Sequence, residues 1–116
     1  MTDIQDVITV TTPGVSGMTV VRTIGTVFGI VVRSRGLGGN VVAGLRSLAG
    51  GEIKEYTAML TEARTHALGR MKANARELGA NGVVAMRFDS SEIGQIMSEI
   101  VACGTAVVLE QTPGNP

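Results

Sequence analysis

The sequence predicts an α+β subunit in which β-strands come first, one short and one long helix follow, and two further antiparallel strands close the chain. Three observations carry this reading. Ile53, Tyr56, Leu60, Ala63, Ala67, Met71, Ala75 and Leu78 recur at three- and four-residue steps, the spacing of one buried helical stripe. Leu78-Gly79 and Asn81-Gly82 then supply a helix stop and a turn. Residues 83–89 and 97–109 follow as two strand-like runs of alanine, β-branched and other small side chains. A long helix beside strands of such small residues suits a subunit that completes itself by assembling with copies.

Residues 4–11 have β-branched character and are read as a first strand. It stops at Thr12-Pro13-Gly14, where Pro in the second and Gly in the third position favour a type II turn. Residues 18–33 form a long strand whose two faces are both partly apolar. That fits a strand covered on both sides, or one bent at Gly25 and Gly29, and a bend near Gly25 would divide it in two.

Gly36, Gly38 and Gly39 make a turn, and Asn40 can cap a short helix reaching about Ala49, with Val41, Leu45 and Leu48 on its apolar side. Gly50-Gly51 ends it. The long helix begins at Glu52, whose charge favours the positive end of the helix dipole, and from there to Leu78 it would span roughly 40 Å. In the last strand Ser98, Ile100, Ala102, Gly104, Ala106 and Val108 share one mostly small face, which invites close approach by a helix or by a neighbour's strand. Residues 111–116 have no apolar anchor and are expected to be a disordered tail after a single domain spanning 1–110.

Composition excludes more than it identifies. Lys+Arg and Asp+Glu both number 10, so the net charge is zero, and aromatics are only 3%. Neither the phosphate attraction nor the base stacking of a nucleic-acid binder is available. The same balance argues against a polybasic membrane contact. Asp3 and Asp6 stand where a signal peptide wants positive charge, and no apolar run approaches ~20 residues, so a cytoplasmic protein is expected. With one cysteine, Cys103, no internal disulfide can form. The core must be built from Val, Ile, Leu, Met and Ala, which stabilise by close packing in number.

Three separated segments carry a resemblance: Val41-Val42-Ala43-Gly44-Leu45-Arg46-Ser47-Leu48-Ala49-Gly50-Gly51-Glu52-Ile53, Glu77-Leu78-Gly79-Ala80-Asn81-Gly82-Val83-Val84 and Met86-Arg87-Phe88-Asp89. The closing run from Ser98 to Val108 extends it. In that order they resemble the YbjQ-like family, small bacterial proteins of unknown function described as heavy-metal-binding domains. The resemblance covers residues 11–109. It implies a ring-like homopentamer in which strands of neighbouring subunits join into shared β-structure. Many relatives are expected to carry an aromatic where this chain has Cys103, which makes the thiol a packing substitution.

Soft metals want several thiolate or imidazole ligands converging on one point. This chain offers one Cys, one His and six Met. Glu62 and His66 lie four apart on the long helix and could share an ion, or could be a solvated ion pair with Arg70 nearby. In a ring, symmetry could bring copies of a single residue such as Cys103 to one axis. The methionines read as core filler. A second candidate is an anion site at the glycine turn, where the amides of Gly36, Gly38 and Gly39 would be helped by Arg33, Arg35 and Arg46. The turn lacks the residues of a dinucleotide fingerprint or a P-loop, and as a connector it needs no ligand. Asp89-Ser90-Ser91-Glu92 reads as a polar hairpin loop, with no neighbouring base to activate a serine. Two functions follow: a non-enzymatic homo-oligomer binding a small ligand, a metal ion or an anion, at its subunit interfaces or axis, or an enzyme with an inter-subunit site for a small anionic substrate, using Asp89, Glu92 and the turn arginines.

Overall fold

The computed structural model describes residues 6–34, 54–93 and 97–113. Its elements are β1 (Ile8–Thr9), β2 (Met18–Ser34), α1 (Lys54–Glu77), β3 (Gly82–Ile93) and β4 (Met97–Gln111). The four strands make one mixed sheet in the order β1-β3-β4-β2. β4 is central and antiparallel to both β2 and β3, while β1 runs parallel to β3. This is the α+β architecture expected. The short helix expected over residues 40–49 lies outside the described residues.

α1 ends where the sequence places its stop. Gly79 has φ 90, the left-handed conformation that an L side chain resists, and it lets two amides turn back onto the last turn. Ala80 N–H donates to Ala75 O (3.0 Å) and Gly79 N–H to Arg76 O (3.0 Å), with Ala75 and Ala80 both buried beneath the cap. Asn81 then works as a length of strand made from a side chain: its Oδ1 accepts from Leu109 N–H (2.7 Å) and its Nδ2 donates to Leu109 O (2.9 Å).

The buried stripe of α1 is Ala63, Ala67, Met71 and Ala75, each at most 3% exposed. Leu60 and Leu78, expected on that stripe, are 42% and 48% exposed. They lie beyond the short stretch where alanines let the helix reach the sheet. There the contact is backbone against backbone. A Cβ built on Gly29 of β2 would collide with Ala67 O and Met71 N and lie 2.9 Å from Met71 Cα. The small face of β4 meets the same helix: Ile100, Ala102 and Ala106 join this core, so the helix is what approaches it.

Several expectations shift. The first strand is only two residues long: Val10 N–H continues its ladder to Val83 O (3.0 Å), but at the β3 bulge Val10 O and Thr12 O accept from the adjacent amides of Met86 (3.0 Å) and Ala85 (2.8 Å). Gly14 is not left-handed. Gly17 is, with φ 76, and it forms the turn closed by Met18 N–H to Val15 O (3.1 Å). β2 is continuous, with register shifts at Val20/Arg22 and Thr23/Gly25 in place of a break. Residues 89–92 are not a hairpin loop but part of β3, paired with β4 from Asp89↔Val101 to Glu92↔Ser98. Ser91 Oγ donates to Glu99 Oε1 across that pair (3.0 Å), so polar side chains here decorate a strand instead of ending it. At the bulge between Val84 and Arg87, Ala85 adopts φ 52, which costs a non-glycine residue about 1 kcal/mol. Gln111 pairs with Met18 and Thr112 N–H donates to Gly17 O (3.0 Å), which ties down the start of the segment expected as a tail.

A second, smaller core lies on the other sheet face, where Val84, Val107 and Leu109 are covered by Val10, Val15 and Met18. Lys72 Nζ donates to Asp6 Oδ2 (2.9 Å), fastening the N-terminal segment to α1. That hydrogen bond and then the charge of Lys72 hold the Asp6 carboxyl below its ordinary range. Among the described residues no helix is long and apolar enough to cross a membrane.

Because backbone fills the space beside Gly29, neither partner can move aside by changing a rotamer. Gly29→Ala is expected to lower stability by at least about 3 kcal/mol, read as a shift in the urea unfolding midpoint. An unchanged midpoint would show that α1 does not rest on β2 at that residue.

Candidate functional site

The first concentration of polar chemistry is a row on α1. Glu62, His66, Arg70 and Asn74 repeat every four residues, each one position before a member of the buried stripe. Four helical residues climb about 6 Å and two strand residues about 6.6 Å, so such a row keeps step with every second residue of a neighbouring strand. With α1 resting on Gly29, the row falls along the outer edge of β2. Asn74 Nδ2 donates to Phe28 O (2.7 Å) and Arg70 Nη1 to Ile30 O (2.6 Å), two carbonyls that point away from β4.

Further along the row, Arg33 Nη2 donates to His66 Nδ1 (2.9 Å) and stands 3.7 Å from Glu62 Oε1. A guanidinium can only donate, so Nδ1 accepts and the ring carries its proton on Nε2. Glu62 and His66 thus meet, as their spacing implies, but around a cation of the chain's own. The partner is Arg33, which is remote in sequence, while Arg70 turns to the β2 backbone. The Arg33 and Glu62 side chains are 48% and 62% exposed, and an ion pair in such a setting contributes little to stability.

Cys103 lies elsewhere. It is opposite Phe28 on β2 and Arg87 on β3, on the sheet face turned away from α1. Residues directly opposite share a face, so Cys103, Val101, Phe28, Ile30 and Val32 make an apolar stretch that ends at Glu99, which lies opposite Val32 and accepts from Ser91. Phe28, Ile30 and Val32 are 50%, 44% and 49% exposed, and the thiol is half-buried. Among the described residues the second core covers only the other end of this face. Arg87, Asp89 and Ser91 border the bare half along β3.

The three metal candidates therefore do not converge within one chain, since Cys103 is separated by the sheet from Glu62 and His66. Among the described residues no group of three His, Cys, Asp or Glu could hold a metal ion. Of the anion-site residues, Arg33 is engaged as described, and Arg35, Gly36, Gly38, Gly39 and Arg46 lie outside the described residues. Asp89 is exposed on the strand, and the side chain of Glu92 is not described. On the helix-facing side Arg64 lies over the Phe88 ring (5.4 Å to its centroid).

Sequence reasoning did not find the edge-capping work of Arg70 and Asn74. Its signal is present: a polar row one residue behind an alanine stripe marks side chains that reach around a strand the helix backbone touches.

Comparison with known proteins places these features in a wider group. A family model with the description "Putative heavy-metal-binding" matches residues 7–110. A UPF0145 protein of Thermoplasma acidophilum is 60% identical over 111 residues, covering 96% of this chain and 93% of that one. A UPF0145 protein of Bradyrhizobium is 64% identical over 103 residues, covering 89% and 93%. Archaeal relatives extend the distribution beyond bacteria. Among solved structures, a DUF74-family protein of unknown function from Pediococcus pentosaceus superposes with a TM-score of 0.55 at 18% identity, covering 89% of this chain and 96% of that one, a likeness of fold.

The edge capping is testable. Arg70→Ala and Asn74→Ala are each expected to lower stability by about 1 kcal/mol, and together to raise turbidity on concentration as β2 offers free carbonyls. A double variant as stable and as clear as wild type would show that these bonds do not seal the edge.

Proposed function

The chain belongs to the YbjQ-like family, and we propose that it works in the cytoplasm as a non-enzymatic homo-oligomeric ring, pentameric as the family resemblance implies, that takes a soft metal ion or another small ligand where its copies meet. One observation carries this reading: the bare apolar half-face of β2 and β4 holds the chain's one thiol. An exposed patch of Phe28, Ile30 and Val32, beside the half-buried Val101, marks an interaction surface. A further copy covers it without requiring any other molecule. The proportions of the chain support the same view. β2 alone has 17 residues, which at about 3.3 Å per residue spans roughly 56 Å.

Within one chain the ligand supply is too thin for a soft metal, which wants several sulfur or nitrogen donors. Rotational symmetry multiplies what one chain offers, so a single thiol per copy becomes a set. Relatives with an aromatic in place of Cys103 would lack this thiol, so the site proposed is this chain's own and is not the source of the family's heavy-metal description.

Light scattering on the metal-free protein is expected to give a single oligomer. Titration with copper(I) or cadmium, dialysis and elemental analysis are then expected to leave ions in a fixed ratio to assemblies, lost in Cys103→Ala. A monodisperse monomer would overturn the assembly. Equal retention in wild type and Cys103→Ala, or none in either, would overturn the metal site.

A further inference from the structure

Asn81-Gly82 joins the cap of α1 to β3, and Leu109 of β4 demands both of its residues. Asn81 Oδ1 accepts from Leu109 N–H (2.7 Å) and Nδ2 donates to Leu109 O (2.9 Å), a pairing that needs the donor and the acceptor of one side-chain amide. A Cβ built on Gly82 would collide with Leu109 Cδ1 and lie 3.1 Å from its Cγ. Leu109 is 3% exposed in the second core, so its side chain has little room to move aside.

These two demands produce the dipeptide most prone to lose its side-chain amide. Glycine leaves its own backbone nitrogen unshielded, and that nitrogen can attack Cγ of the preceding asparagine. The fold opposes the reaction by conformation and not by burial, since Asn81 is open to solvent. Its main-chain N–H donates to Val107 O (3.1 Å) and its carbonyl accepts from Ile8 N–H (3.1 Å), which fixes the peptide groups on both sides of its Cα. Attack also turns Cγ from planar to tetrahedral, and the two bonds to Leu109 cannot both survive that change.

We propose that Asn81 is a modification site: it deamidates spontaneously when the junction of β1, β3 and β4 opens, and the product cannot rebuild that junction. In the open chain the Gly82 nitrogen gives up its proton and bonds to Asn81 Cγ. The Cγ–Nδ2 bond breaks, and Nδ2 leaves as ammonia with that proton. Water then opens the succinimide ring at one of its two carbonyl carbons. Opening at Cγ restores the peptide bond and yields aspartate. Opening at the main-chain carbonyl leaves Gly82 linked through the side chain. The first product sets a carboxylate oxygen against Leu109 O, two acceptors where a donor met an acceptor. The second inserts a methylene into the main chain ahead of β3 and displaces the strand against its partners. Neither step needs a second copy or a metal.

The test follows wild-type protein at mildly alkaline pH in a series of urea concentrations, with mass spectrometry of the peptide containing Asn81. Conversion is expected to be slowest without urea and to become at least about tenfold faster as the chain unfolds. Equal rates in native and unfolded chains would overturn the gating, and no conversion in the unfolded chain would overturn the site. Converted chains returned to native buffer are expected to unfold at a lower urea midpoint than unconverted chains carried through the same steps, or to regain less far-ultraviolet circular dichroism. Asn81→Asp, the first product made directly, is expected to show the same loss. A wild-type midpoint in both would overturn the claim that the product cannot rebuild the junction.

Discussion

The structure depends on one close approach, the backbone of α1 at Ala67 and Met71 lying directly on Gly29 of β2. An edge strand seldom carries a helix so near, because any Cβ would hold the two apart. Glycine on the strand and alanine on the helix remove that obstacle. The helix is thereby drawn over β2, and its polar row reaches past the strand to the carbonyls on the far side. Among the described residues, the same placement leaves the opposite face of β2 and β4 covered only at the end where the second core lies.

Two cores result, of unequal extent and on opposite faces. The helix core is broad and made of small residues, so it stabilises by close contact over many atoms instead of by a few large side chains. The second core needs only the segment from Val10 to Met18, folded back over Val84, Val107 and Leu109. Its reach ends before Val101 and Phe28. An interior distributed this way leaves one face of the later half of β2 and the first half of β4 apolar and, among the described residues, uncovered, which is the physical basis for reading the subunit as part of an assembly.

Much of the fold was legible in the residues. The stop at Leu78-Gly79, the alanine stripe and the small face of β4 each state a local rule that the tertiary structure obeys. What escaped was long-range. Nothing near Arg33 in sequence announces His66, and Asp89-Ser90-Ser91-Glu92 looks like a loop until β4 is seen to pair with it. Pro13-Gly14 predicts the left-handed residue at Gly14. The chain turns at Gly17 instead, since Thr12 O is held by Ala85. For the site, the sequence supplied the metal candidates one by one, but not the fact that the sheet stands between Cys103 and the pair on α1.

The account stands or falls on whether other copies cover the face that α1 leaves bare. The reactivity of the Cys103 thiol toward a colorimetric disulfide reagent, measured on native, metal-free protein in the presence of a chelator, tests this directly. In a single chain that thiol is half-buried beside an exposed Phe28. Coverage by neighbours predicts slow modification that becomes fast on unfolding. Modification of the native protein as fast as that of the unfolded chain would contradict it.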